Sequence, residues 1–351
     1  MGHKLGIIGY GGMGGWHFDN CPRTGCIEPA AVYDIDETRV ELAKSKGAAG
    51  FNNLEEFLDS KLFDLVLVAT PNNFHHDLVV KALQSGYNVI CEKPVAMSVA
   101  ELEDMIAVSK ECGKLFTVHH NRRWDTDYNI VKKSIESGAV GTPYTIESCV
   151  HGAGGVMHGW RAYKVAGGGM LFDWGIHMID QIMDMVDSKV RDVYCHMNSV
   201  KTPEVDDYFK LILNFENKLN VQVEVGTYCL QPKPRWYVNG DAGSLIVENW
   251  ECDGKIISSS ETAMDWEPEI VQTKAGPTRT MAPRPKETLT EHPLPEADKD
   301  CKWEALYRNV CGVIDGTDEL IVRPEQLVRV MKIVEAGFKS AETGHSVKVE
   351  I

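Results

Sequence analysis

The sequence predicts a doubly wound α/β domain with a parallel sheet, followed by an α+β domain with a mostly antiparallel sheet. Three observations carry this. Short, almost wholly apolar runs alternate with helical patterns over residues 1–122. A glycine-rich turn joins the first run to the first helical pattern. Beyond residue 122, apolar-alternating runs follow one another mostly without helices between them.

In chain order, the first-domain runs are KLGIIG (4–9), AAVYD (30–34), DLVLVAT (64–70), YNVICE (87–92) and LFTVHH (115–120). Continuous hydrophobicity of this kind suits strands buried on both faces of a parallel sheet. Between them, 36–47 opens on acids and ends at Gly47, and 98–113 opens with Ser98 and Glu101 at capping-box spacing and ends at Gly113. The second domain, 123–351, carries strand patterns at 144–152, 192–200, 208–216, 219–229, 235–240 and 243–250, with a helix over 167–187 crossing them. Residues 258–300 are rich in Ser, Thr, Pro and charge and read as an exposed loop or arm. Helices at 298–315 and 324–343 and a short SVKVEI strand close the chain.

The length, 351 residues with 43% hydrophobic and 25% charged, suits a globular protein of two domains. A net charge of −15 disfavours nucleic acid and anionic membrane surfaces as partners, because both require a basic patch. None of the ten cysteines forms a CxxC pair and several sit in apolar runs, which predicts reduced thiols and a cytoplasmic protein. No apolar run approaches membrane-spanning length.

LGIIGYGGMG places Gly9, Gly11 and Gly14 in GxGxxG spacing between a strand and a helix. The first glycine permits the turn, the second lets backbone approach a pyrophosphate, and the third allows helix and strand to pack closely. Asp34 closes the second strand twenty residues after Gly14, where an acid receives a ribose 2′-hydroxyl and repels a 2′-phosphate. The predicted cofactor is therefore NAD rather than NADP, with Arg39 along the adenine or the surface. Further contacts fall on Gly12 and Met13 in the turn. Thr70, Pro71, Asn72 and His75 of VATPNNFHH, and Glu92 and Lys93 of CEKPVA, add others at strand carboxyl ends, where ligands sit in such sheets.

With GYGGMG, ATPNNFH, EKP at 92–94, GGGMLFDWGIHMID at 167–180 and the ending VMKIVEAGFKSAETGHSVKV, nearly the whole chain resembles the Gfo/Idh/MocA family of oxidoreductases. The resemblance implies an NAD(P)-binding Rossmann domain and a second domain with a large open sheet used in oligomerisation, hence a homodimer or homotetramer. It also implies hydride transfer at a secondary alcohol of a sugar, cyclitol or glycoside. By motif match, Lys93, Asp173 and His177 form the catalytic group. Asp173 and His177 stand four apart and would share one helix face, His177 or Lys93 serving as the base and Asp173 or a neighbouring carboxylate orienting the imidazole. Asp180 reads equally as a ring-orienting acid or as a bond at the domain seam.

For substrate, Asn121, Arg122, Arg123 and Trp124 offer donors and an aromatic platform, or else an interdomain hinge of salt bridges. Trp160, Arg161 and Tyr163 precede the glycines, where the family carries a WR pair near substrate. Arg235 and Trp236 offer further pocket side chains or else strand packing. The twelve histidines include adjacent pairs but no convergent ligand set, so no metal is expected. Two other functions stay open at this point: a redox-assisted glycosidase with bound NAD⁺, and a non-catalytic NAD-binding regulator.

Overall fold

The structure is a computed structural model, and it describes residues 2–259, 270–279 and 288–351. Six parallel strands form the first sheet: β1 His3–Ile8, β2 Ile27–Tyr33, β3 Ala49–Phe51, β4 Leu65–Val68, β5 Asn88–Cys91 and β6 Phe116–Val118. Their order is β3-β2-β1-β4-β5-β6, so the chain reverses direction across the sheet between β1 and β4. Helices α1 Gly12–Asn20, α2 Glu37–Ser45, α3 Leu54–Asp59, α4 His75–Gln84 and α5 Val99–Cys112 connect them. All four residues of β4 are fully buried, as a strand covered on both faces requires. Ser98 caps α5 by accepting the Glu101 N–H at 3.2 Å, and Gly113 ends it at φ 61°.

After α6 Thr126–Glu136 comes β7 Pro143–His151, then α7 Ile176–Met185 and β8 Val190–Asn198. There follow β9 Tyr208–Phe215, β10 Asn220–Gly226, β11 Trp236–Gly240, β12 Gly243–Val247, β13 Gly254–Ser259, β14 Ile270–Thr273, β15 Gly276–Arg279 and β16 Leu289–His292. Helices α8 Glu304–Ile314 and α9 Pro324–Thr343 and strand β17 Val347–Lys348 complete the described chain. The second sheet runs β16-β13-β12-β11-β7-β10-β9-β8-β17, and only β7 and β10 pair in parallel. Strict alternation of burial along β9 shows one face turned to a core. Helices α7 and α9 pack together there, where Gly337 of α9 approaches Leu211 and Cys195 of the sheet. The other face carries charge: Glu224 meets Lys233 at 2.6 Å and Lys210 at 3.3 Å.

Three expectations about elements change. The helix predicted over 167–187 starts only at Ile176, after a widened π turn at Leu171–Gly175, because Gly167 and Gly169 take left-handed backbone (φ 76° and 108°). The helix predicted over 298–315 starts at Glu304, because Asp298 is held to α6 by Lys133 (2.8 Å) and Asn129 (3.2 Å). The arm at 258–300 lies partly outside the described residues; inside them it forms the exposed β14–β15 hairpin and the edge strand β16 on β13. Helix α8, late in the chain, packs on the first domain: Trp303 meets Trp16 edge-on at 4.8 Å, and Glu304 pairs with Arg23 at 3.1 Å.

Candidate active site

A cleft of about 680 Å³ opens at the carboxyl ends of β1, β2, β4 and β5, where the strand order reverses. The glycine turn forms its floor. Gly9 has φ 91°, and a Cβ at Gly14 would lie 1.9 Å from the Gly9 carbonyl oxygen, so only glycine lets α1 pack this close. Gly11 and Gly12 face open space at their Cβ positions, and the first turn of α1 has no side-chain cap. That leaves a cradle of free N–H groups at a helix N-terminus, which suits a pyrophosphate. Asp34 braces the turn by accepting the Tyr10 N–H at 2.6 Å.

Of the predicted cofactor contacts, Gly9, Gly11, Gly12, Met13, Asp34, Arg39, Thr70, Pro71, Asn72, Glu92 and Lys93 line the cleft. Gly14 lies behind the turn. His75 does not line the cleft: it is fully buried, with ring nitrogens 2.8 Å from the Pro94 carbonyl oxygen and 3.0 Å from that of Thr70. Burial pulls its pKa down, so the neutral ring has a single N–H and donates to one of these two carbonyls.

Glu92 is buried at the end of β5, beside the cleft. Burial alone would raise its pKa, but His119 and His17 hold it well below the usual carboxylate range. His17 Nε2 lies 2.6 Å from Glu92 Oε1, and His17 Nδ1 lies 2.6 Å from the Tyr307 hydroxyl. An anionic Glu92 requires the proton on Nε2, so Nδ1 accepts from Tyr307. The second carboxylate oxygen accepts the Lys93 N–H at 3.1 Å. A buried chain of bonds thus ties α8 to the backbone of Lys93. Sequence reasoning missed it, since Tyr307 stands 290 residues from His17.

The Lys93 ammonium donates to Asp173 Oδ1 at 2.7 Å and to the Asp173 carbonyl at 2.9 Å. Arg161 Nε lies 3.5 Å from the same carboxylate oxygen. Burial would raise the Asp173 pKa, but Lys93 and then Arg161 hold it down, so Asp173 is an anion. His177 is buried nearby with Nδ1 sealed from solvent and unpartnered. Burial first, then the charges of Lys93 and Arg122, push its pKa well below the usual value. The structure thus departs from the expected pairing: Asp173 holds Lys93, and among the described residues no carboxylate bonds His177. The π turn explains this, because its wider register no longer stacks residues four apart.

The glycines ahead of this stretch are packing requirements. A Cβ on Gly167 would lie 2.5 Å from the Met97 sulfur, and one on Gly168 would lie 2.1 Å from the Arg161 carbonyl oxygen. Gly175 meets the Phe209 ring, where a Cβ would come within 2.8 Å.

Asp180 belongs to the seam. Arg123 grips it with Nε at 2.8 Å and Nη2 at 2.7 Å, and also reaches Asp184 at 3.2 Å. Toward His177 it meets the His120 ring, 3.5 Å away, whose pKa burial pushes down to about 4.

A second cavity of about 530 Å³ adjoins the first beyond Arg161, which lines both. Asp173 lines neither cavity itself; it is bonded to Lys93, which lines the first, and is next in sequence to Trp174, which lines the second. The predicted substrate residues divide. Trp160 lines the cofactor cleft rather than the second cavity. Arg122 stacks its guanidinium 4.1 Å from the Trp174 ring centre, outside both linings. Trp124 packs against the core, and Tyr163 is half exposed and lines neither cavity. Arg235 is buried and pairs with Asp127 at 2.9 Å. Trp174 and Trp250 escaped the sequence reading: Trp174 stands inside the 167–180 motif but was read only as apolar packing, and only folding brings its ring within 5.8 Å of the Trp250 ring.

Two groups of possible metal ligands converge among the described residues. In His17–Glu92–His119 the carboxylate already takes both imidazoles. In Cys149–His151–Glu224 the carboxylate is engaged by Lys233 and Lys210, whose charge opposes a cation.

A family model described as "Oxidoreductase family, NAD-binding Rossmann fold" matches residues 3–120, and one described as "GFO/IDH/MocA C-terminal domain" matches 128–246. A scyllo-inositol 2-dehydrogenase (NADP(+)) of Bacillus subtilis is 27% identical over 352 residues, spanning 99% of this chain and 96% of its own. A glucose-6-phosphate 3-dehydrogenase of the same organism is 30% identical over 244 residues, 66% of this chain and 69% of its own. The crystal structure of an NAD-binding protein from Listeria innocua matches with a TM-score of 0.89 and 37% identity, covering 99% of this chain and 97% of that one.

Proposed function

The chain belongs to the GFO/IDH/MocA family of oxidoreductases, and from that premise we propose that it transfers hydride between NAD and a ring secondary alcohol of a sugar, cyclitol or glycoside. The observation that carries the reading is Lys93, which lines the cofactor cleft and whose ammonium is anchored by two bonds to an anionic Asp173. When bound, the nicotinamide supplies the hydride acceptor, and the proton and the charge fall to the protein. Lys93 spends two of its three protons on Asp173 and keeps one for a substrate oxygen, whose developing negative charge it stabilises. His177 is neutral at physiological pH and accepts the hydroxyl proton. Its cationic neighbours raise the free energy of its own cation, so it hands that proton on readily.

Asp34 supports NAD over NADP: its carboxylate lines the cleft and would repel a 2′-phosphate. The outer face of the nine-stranded sheet has no helix over it among the described residues and is the proposed contact of a homodimer or homotetramer, checked by light scattering. The test of function is NADH formation by purified protein across sugars, inositols and glycosides. Tight NAD binding with no turnover on any of them would refute the reading.

A further inference from the structure

The second cavity has a composition that a bare polyol does not explain. Its walls are Val150, Val156, Met157, Met170, Val225 and the rings of Trp174 and Trp250, with glycine backbone between them. Only His151, His158, Arg161 and Thr227 bring polar side chains. A polyhydroxylated ring placed here would leave most of its hydroxyls desolvated against carbon. An aromatic ring would instead replace water along apolar walls and meet the faces or edges of two indoles.

Both indoles are held in place from behind. The Arg122 guanidinium lies 4.1 Å from the Trp174 ring centre, and that of Arg235 lies 4.9 Å from the Trp250 ring centre. Arg235 is itself buried and fastened to Asp127 at 2.9 Å. Even so, Trp250 remains 46% exposed, a large apolar surface left open at the mouth of a cavity. The cavity is continuous with the chemistry: Arg161 lines both spaces and lies 3.5 Å from the Asp173 carboxylate. A volume of about 530 Å³ accommodates a substituent of one or two rings.

We infer that this cavity is a subsite for an aromatic aglycone, so that the ring oxidised is the sugar of an intact aryl glycoside. The inference rests on the dehydrogenase reading above and narrows its substrate class. Polar groups of the aglycone face Arg161 and His158 at the rim, and its planar body lies against Trp174 and Trp250.

The test compares kcat/KM for the methyl and phenyl glycosides of one sugar, with NAD and the full-length protein. The phenyl glycoside is expected to be preferred by roughly tenfold to a hundredfold, the range that a hydrophobic pocket contributes. Trp250→Ala brings the phenyl-to-methyl ratio toward one, and Trp250→Phe restores part of it. Val156→Asp, a change on a half-exposed loop residue, lowers the ratio by placing a charge in the cavity. A ratio near one in the wild type overturns the inference while leaving the dehydrogenase reading standing. So does a ratio that survives both Trp250→Ala and Val156→Asp, or one that survives while Trp250→Ala changes the oligomeric mass, which would make this face a subunit contact. If no glycoside, sugar or inositol turns over, both readings fall together.

Discussion

Replacing Asp180 with asparagine separates the residues that hold the catalytic stretch from those that act in it. Asp180 lies fully buried and receives both arms of the Arg123 guanidinium at 2.8 and 2.7 Å. Asparagine keeps one acceptor and removes the charge, leaving a buried guanidinium short of its counter-ion. Breaking a buried pair from one side costs roughly 3–5 kcal/mol. Arg123 retains Asp184 at 3.2 Å and the Gln326 side chain at 3.1 Å, which puts the expected loss near the lower end, about 3 kcal/mol. At roughly 2 °C per kcal/mol for a chain of this size, the melting temperature should fall by about 6 °C. Scanning calorimetry reads this directly, and kcat measured well below the transition should stay within about threefold of wild type. Asp173→Asn is the counterpart. Asp173 is partly open and bonded to Lys93, so this change should lower kcat by on the order of a hundredfold with little effect on melting. An Asp180→Asn protein with normal melting and collapsed turnover would refute the assignment of Asp180 to the seam.

Three further outcomes follow from particular side chains. Asp34→Ser removes the carboxylate proposed to select against a 2′-phosphate and should raise the NADP-to-NAD ratio of kcat/KM by on the order of tenfold to a hundredfold, read from initial rates with each cofactor. Burial raises the Asp206 pKa to about 7, against the Leu171 N–H that it accepts at 2.8 Å. The folded state therefore holds a proton that the unfolded chain releases near its ordinary carboxylate pKa, and this stabilisation is lost as pH rises toward 7. Denaturation of Asp206→Asn at pH 4 and pH 8 should show the variant gaining on wild type at the higher pH by up to on the order of 4 kcal/mol; an equal difference at both would exclude the role. Because the His177 pKa is depressed, the acid limb of kcat/KM for alcohol oxidation should lie below the ordinary histidine value, and a limb above it would contradict a neutral His177 base.

The first domain was legible because its signals are local. The glycine turn, the acid ending β2 and the capping Ser98 each act within one strand–helix unit, and each occupies the expected place. The glycine-led stretch at 167–180 was legible as composition but not as geometry. Its spacing suggested one helix face, whereas left-handed glycines and a π turn direct Asp173 to Lys93. Least legible were the features that join distant segments. The Tyr307–His17–Glu92 chain, the Arg123–Asp180 grip and the Trp174–Trp250 pair each form only when separate elements pack, and no periodicity in the sequence records them.

In the proposed reaction Lys93, held by Asp173, stabilises charge on the substrate oxygen during hydride transfer. Lys93→Met keeps the length of the side chain and removes its charge. Single-turnover NADH formation on a substrate accepted by the wild type, measured beside NAD affinity by fluorescence, tests the claim most directly. The account predicts a rate lower by on the order of a thousandfold with NAD affinity within about threefold. A rate within a few-fold of wild type would contradict it.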